Sequence, residues 1–253
     1  MRMQVFEGDE LKFSIEEKKE KEFHIPTWLY VFAGIFIAVV FIFSSLQITF
    51  NVVYHYYPVT GASMQPTINR DWQIEGDDAD GVYVNTFNKG ERGDIIVVQN
   101  PPSDSGKTVI KRLIAVGGDK IAICPASPGL TSVYNLLVIY KGETKSTVLP
   151  EDYLSEDNKN YGNAESYRKF YSLCMTAHND KFEYINGLWY LVIPEGQVFF
   201  MGDNRSASKD CSEYGPVSEA NVVGKVDIII KNRTDFVPQI LAFFGDQIVK
   251  LFV

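Results

Sequence analysis

The chain has 253 residues, a formal net charge of −8, 45% hydrophobic residues and 13% aromatics. That apolar content excludes global disorder, and the length leaves room for a membrane anchor plus one large domain with an appended subdomain. The acidity is spread out and no Lys/Arg-rich block is available to neutralise phosphates, which argues against a nucleic-acid partner.

Residues 1–26 are polar and charged. The run Glu16–Glu22 reads as a solvated helix face or a frayed tail, with Lys18, Lys19 and Lys21 close to the next segment. From Thr27 to Phe50 the chain is almost wholly apolar, and roughly twenty such residues suffice for a helix to cross the hydrocarbon layer. Lysines precede this run and the next basic residue after it is Arg70, histidine aside. The positive-inside rule then puts the N-terminus in the cytoplasm and the rest outside, with Trp28 and the Tyr54–Tyr57 cluster marking the two interfaces. A cleaved signal peptide is the competing reading. The run is longer than a signal core and Ser44-Ser45-Leu46-Gln47-Ile48 has no Ala-x-Ala ending, which favours a retained anchor.

Immediately afterwards comes Pro58-Val-Thr-Gly-Ala-Ser-Met-Gln-Pro-Thr-Ile68, with no helical period. Gly61 permits close backbone approach and Pro66 holds a bend, so Ser63 is displayed rather than packed. Taken alone, such a loop is an ordinary turn. Glu75–Gly81 reads as a solvated acidic turn, since it lacks the ligand series and closing glutamate of a calcium loop. Val82–Thr86, Ile95–Gln99 and Val109–Val116 read as strands from their β-branched content, with Arg92-Gly93-Asp94 as a turn and Asn100–Lys107 as a loop.

Residues 120–197 read as an insertion, with strands near Ile121–Cys124, Leu136–Tyr140 and Leu188–Val192 around a polar, partly helical stretch from Tyr153 to Cys174. Strand signals return at Val198–Met201 and Val222–Ile230. Between them Met201-Gly-Asp-Asn-Arg-Ser-Ala-Ser-Lys-Asp210 packs polar residues and turn formers. The tail 236–253 is apolar but interrupted, and reads as an amphipathic segment on the domain or in the interface. Cys124, Cys174 and Cys211 form no metal-type cluster. Outside the cell the first two can pair, and three unpaired buried thiols fit equally well. None of the three histidines sits in a motif, so neither a Ser-His-Asp site nor a histidine metal site has support.

Lys111 is the unusual residue, an amine inside the apolar run Val109–Val116. On an alternating strand it shares a face with Val109 and Leu113, while Arg112 points to the opposite face, where a carboxylate such as Asp203 can partner it. Serine is a poor nucleophile without a base, and lysine can be that base only when neutral, a form that apolar surroundings favour. The block by itself also fits a strand-end lysine reaching solvent.

Together, Pro58–Ile68, Arg92–Val98, Val109–Asp119 and Met201–Asp210 resemble the bacterial type I signal peptidases in content, order and spacing behind one anchor. The resemblance implies membrane-anchored Ser–Lys serine endopeptidases that remove signal peptides from preproteins, without metal or other cofactor. It implies Ser63 as nucleophile and Lys111 as general base. Ser208 matches a hydroxyl that orients the lysine, Asp210 a structural carboxylate, and Asp203 and Arg205 the start of that block. Arg112 and Asp203 match a structural ion pair. Val59, Met64, Ile68 and Ile110 match residues lining shallow apolar pockets for small P1 and P3 side chains, and they also fit ordinary core positions. An extended substrate can add to a sheet edge near the serine. The chain departs from the pattern at Gly61, where many members carry a serine oxyanion donor, at Ser206 and Ala207 in place of Asp-Asn, at Ser212 in place of arginine, and at Gly117 in place of proline.

The expected architecture is mostly β: an antiparallel catalytic core at 51–119 and 198–235, the insertion at 120–197, and a transmembrane anchor at 27–50. The expected location is the bacterial cell membrane, single-pass with the N-terminus cytoplasmic. The expected contacts are preprotein signal peptides and lipid, with no required protein partner. A non-catalytic, membrane-tethered peptide-binding module is the reading from another class. A repressor-type Ser–Lys autoprotease would bring a DNA-binding region, and a sortase-like thiol enzyme would need a histidine near Cys211.

Overall fold

The computed structural model describes residues 26–70, 79–102, 106–125, 134–159, 166, 168–170, 172 and 181–231. The N-terminal tail, most of the acidic turn, Cys174, His178 and the apolar tail at 236–253 lie outside the described residues. Helix α1 spans Thr27–Val53, three residues beyond the expected anchor. No proline interrupts it, and a helix satisfies its backbone internally, as lipid requires. At ~1.5 Å per residue it exceeds the roughly 30 Å hydrocarbon layer. None of its residues is buried by protein.

The remainder is antiparallel β. Seven strands form one sheet: β1 (Tyr54–Pro58), β2 (Gly81–Asn85), β3 (Ile95–Gln99), β4 (Thr108–Val116), β10 (Gln197–Met201), β11 (Val217–Ser218) and β12 (Val222–Ile230). Their order is β1-β2-β12-β3-β4-β10-β11. The aromatic cluster read as an interfacial marker forms an edge strand. Its register runs from Tyr54 opposite Asn85 to Pro58 opposite Gly81. Tyr54 reaches Asp227 of β12 (3.2 Å), and burial together with that carboxylate pushes its phenol up to about 12.

Residues of β3 and β4 alternate between two apolar clusters. Ile96, Val98, Leu113 and Val109 pack with Phe199 and Phe200, whereas Ile95, Val97 and Ile110 pack with Val59, Met64 and Ile68. Both faces of the sheet are covered there, which explains the unbroken apolar run of β3. Complete burial of each phenylalanine is worth about 1.5–3 kcal/mol.

The second sheet is built from β5 (Lys120–Pro125), β6 (Tyr134–Ile139), β7 (Thr147–Val148), β8 (Phe182–Ile185) and β9 (Leu188–Val192), in the order β7-β6-β5-β9-β8. The chain leaves the large sheet at Gly117-Gly118 and returns at 193–196. A Cβ on Gly117 would lie 2.8 Å from Glu195 Cα and 3.0 Å from the Pro194 carbonyl, so the two crossings touch where the residue has no side chain. Fully buried Asp119 locks the junction. It accepts the N–H groups of Val116 and Lys141 and a two-pronged contact from Arg92 at 2.7 and 2.8 Å.

Candidate active site

The segment following β1 is held at both ends by one carboxamide. Asn69 Nδ2 donates to the carbonyls of Val59 (3.0 Å) and Gly61 (3.1 Å), while its Oδ1 accepts the Asp80 N–H (2.8 Å). The Asn69 N–H donates in turn to the Asp80 carboxylate at 2.6 Å. Asn69 has φ 59° and is buried, a left-handed backbone that asparagine tolerates better than most residues. Within the loop, Met64 and Ile68 close one helical turn (2.9 Å), followed by a 2.7 Å bond from Gln65 Nε2 to the Asn69 carbonyl. The Gln65–Pro66 bond is cis. Met64, Ile68 and Val59 are buried in the cluster that Ile110 flanks. Those four residues are the ones matched to substrate pockets. They fasten the loop to the sheet on either side of Ser63, which stays half-buried.

Lys111 sits on β4 opposite Ile96 and is 3% exposed. Its Nζ lies 2.9 Å from Ser63 Oγ and 2.9 Å from the Ile110 carbonyl. Two residues 48 positions apart are therefore brought into direct contact. A shift in register between Phe199 and Phe200 leaves Ile114 as the extra residue on β4. The ladder with β10 then runs only as far as Arg112 opposite Met201. Beyond that pair β10 turns away and delivers the Gly202–Asp210 block beside the serine.

Three contacts tie that block to the serine loop. Asn204 N–H donates to the Ser63 carbonyl (3.0 Å), and Thr67 Oγ1 donates to the Asp203 carboxylate (2.5 Å). Gly202 is so close that a Cβ there would overlap both the Ser63 carbonyl and the Ser208 side chain. Arg112 grips Asp203 with two nitrogens (2.8 and 2.6 Å) and gives a third hydrogen bond to the Gly93 carbonyl at 2.7 Å. Asp203 is fully buried, and removing its partner would cost about 3–5 kcal/mol. Arg205 is buried too, donating from Nε to the Gly202 carbonyl (2.9 Å).

Asp210 acts as a backbone anchor. Its oxygens accept the N–H of Gly202 (2.9 Å) and of Ser212 (3.0 Å), the latter capping the short helix Cys211–Tyr214. The position where an arginine was missing is thus served by a main-chain donor. Ser208 Oγ is buried without a hydrogen-bond partner among the described residues, so the bond to the lysine that the resemblance implies is not formed. Cys211 is fully buried. Burial pushes its thiol well above the usual range. Among the described residues no group of His, Cys, Asp or Glu is placed to hold a metal ion.

Sequence reasoning missed Asn69, Asp80, Thr67, Glu151 and Tyr153. Asparagine at the end of a Pro-Thr-Ile turn was a usable signal for the first. Asp80 is found only across the loop from Asn69, and the partners of Thr67, Glu151 and Tyr153 in the Asp203–Arg205 turn are remote in sequence.

Residues 28–231 match the family model described as signal peptidase, peptidase S26. The chain is 33% identical to signal peptidase I of Rickettsia typhi over 149 residues, 55% of this chain and 51% of that one. With signal peptidase I of Aquifex aeolicus it shares 28% identity over 207 residues, covering 68% and 74% of the two chains. The match thus spans about half the length of the rickettsial relative and about three quarters of the Aquifex one. A crystal structure of a signal peptidase I from Enterococcus faecalis aligns with 54% of this chain and 95% of its own, at 24% identity and a TM-score of 0.33.

Proposed function

The chain belongs to the signal peptidase family, peptidase S26, and from that premise we propose a membrane-anchored serine endopeptidase that removes signal peptides from exported preproteins. We assign residues 27–50 to the anchor, 51–119 and 198–235 to the catalytic core, and 120–197 to an inserted subdomain. The observation that carries the chemistry is the 2.9 Å separation of Lys111 Nζ and Ser63 Oγ, at an amine 3% exposed. Desolvation penalises the ammonium, and a neutral amine at that distance accepts the serine proton.

In this mechanism Ser63 Oγ attacks the scissile carbonyl while its proton passes to Lys111. The tetrahedral intermediate collapses, and the departing amine of the mature protein takes that proton. The signal peptide is left as an ester on Ser63. Lys111 then removes a proton from water, the hydroxide attacks the ester, and Ser63 Oγ recovers its hydrogen. Gly61 offers no side-chain donor, so the Ser63 N–H serves the oxyanion. The loop's hydrogen bond to the Gly202–Arg205 turn uses the Ser63 carbonyl and leaves that N–H uncommitted to the turn.

Residues 108–111 of β4 pair with β3 on one side and lie beyond the ladder with β10. An extended substrate adding there would run past Ser63, with small P1 and P3 side chains against the cluster of Val59, Met64, Ile68 and Ile110. Helix α1, apolar and of spanning length, supports the anchor, and the lysines before it support a cytoplasmic N-terminus. The test is cleavage of a preprotein by detergent-solubilised protein. Wild type should release the mature product, and Ser63→Ala and Lys111→Ala should release none while folding normally. Turnover by either variant would reject the assignment.

A further inference from the structure

The seven-stranded sheet does not by itself complete the surroundings of the candidate active site. The connection between β7 and β8 sends residues 151–153 against the turn that carries Asp203 and Arg205. Arg205 Nη2 lies 2.6 Å from Glu151 Oε1 and 3.1 Å from the Tyr153 hydroxyl, and that hydroxyl donates to Glu151 Oε1 at 3.3 Å. The three groups close a triangle around a guanidinium whose side chain is 0% exposed. The face of the Tyr153 ring also carries Arg112, whose guanidinium carbon is 3.9 Å from the ring centroid. One tyrosine thus holds both arginines, one by its face and the other by its oxygen. Burial pushes that phenol well above the usual range, so it stays a neutral donor and acceptor. The seam continues outward, with Ser166 Oγ donating to the Arg205 carbonyl and Ser206 N–H donating to Asn158 Oδ1 at 3.3 Å.

We propose that Glu151 and Tyr153 are positioning residues of the catalytic centre, acting through Arg205 and Arg112 on the turn that holds the Ser63 carbonyl. This rests on the reading of Ser63 as nucleophile. Arg112 fixes Asp203, and Arg205 fixes the Gly202 carbonyl. Between them Asn204 N–H meets Ser63, while Asp203 accepts Thr67 from the same loop. A shift of either arginine therefore moves the turn and the nucleophile with it. The insertion contributes a counter-charge and a ring that no strand of the core supplies at this point. A buried arginine without its carboxylate would be an uncompensated charge, so the connection is needed for the block to sit as it does.

The experiment measures preprotein cleavage by the full chain in wild type, Glu151→Gln, Tyr153→Leu, Tyr153→Phe, Arg205→Gln and the double variant Glu151→Gln/Arg205→Gln, with thermal melts alongside. Rates are taken per folded molecule. Glu151→Gln and Tyr153→Leu should lower kcat about 10- to 100-fold with KM within about twofold, the scale of a sub-ångström to 1 Å misplacement. Tyr153→Phe keeps the ring on Arg112 and should retain several-fold more activity than Tyr153→Leu. In the Arg205→Gln background, Glu151→Gln should lower kcat no further, because it acts through that guanidinium. Unchanged kcat, a change in KM alone, or losses that multiply in the double variant would overturn the inference. Should Glu151→Gln fail to fold, the comparison of Tyr153→Phe with Tyr153→Leu still decides, since equal kcat in the two would overturn it. A wild-type chain that cleaves nothing would instead count against Ser63 as nucleophile.

Discussion

Replacing Gly202 by alanine tests how closely the turn and the serine loop must approach. The added methyl would sit 2.6 Å from Ser208 Cβ and closer still to Ser208 Oγ and the Ser63 carbonyl. Ordinary contact begins at about 3.5 Å, so something must move by roughly 1 Å. The Ser208 side chain can rotate aside. The Ser63 carbonyl cannot, because it is main chain and already accepts from Asn204 N–H. The Ser63 loop is therefore the part that shifts. Overpacking of this kind costs about 1–3 kcal/mol of stability, and a displacement near 1 Å at a reacting group costs about 10²-fold in rate. Preprotein cleavage at saturating substrate, paired with a denaturant melt, should show Gly202→Ala folded, modestly less stable and about a hundredfold slower. Wild-type kcat in a folded Gly202→Ala variant would refute the claim that this contact sets the position of Ser63.

Asn69→Gly keeps the left-handed backbone but removes the carboxamide from two carbonyls and an N–H. Each buried group left unpaired costs about 1–3 kcal/mol, so a lower urea midpoint together with reduced kcat is expected. Cys211, whose thiol is pushed up by burial, holds its proton at neutral pH and should resist alkylation until the chain is unfolded, as peptide mapping by mass spectrometry will show. Labelling of Cys211 in native protein at pH 8 would contradict its placement. The full chain should stay with membranes through alkaline carbonate extraction, and its release would contradict α1 as an anchor.

The strands that carry the site were legible because each is a short β-branched run, and β3 and β12 have the ends that the sequence predicts. The apolar helix was legible from length and apolarity, although α1 continues to Val53. The edge strand β1 was hidden because its tyrosines, judged by composition, fit a membrane interface as well as a strand. Strand β9 was read at Leu188–Val192, but its hairpin partner β8 escaped notice despite Asn186-Gly187, whose φ values of 49° and 88° are those a tight hairpin turn needs. Strand alternation puts Arg112 on the face opposite Lys111, and the family resemblance, not the alternation, names Asp203 as its partner. Asn69 with Asp80, Arg92 with Asp119 and Arg205 with Glu151 follow from neither, because loop charges have no period and their partners are chosen by tertiary packing. Asp210 illustrates a further limit: a carboxylate that looked short of a side-chain partner is satisfied by main-chain N–H groups.

The account depends on Lys111 being an uncharged amine when it meets Ser63. An NMR titration of the Lys111 side chain, assigned by comparing wild type with Lys111→Met, reads that directly. The account predicts deprotonation well below the roughly 10.4 of free lysine, with the cleavage rate rising over the same pH range. A lysine still protonated up to that ordinary value, with cleavage proceeding at neutral pH, would contradict it.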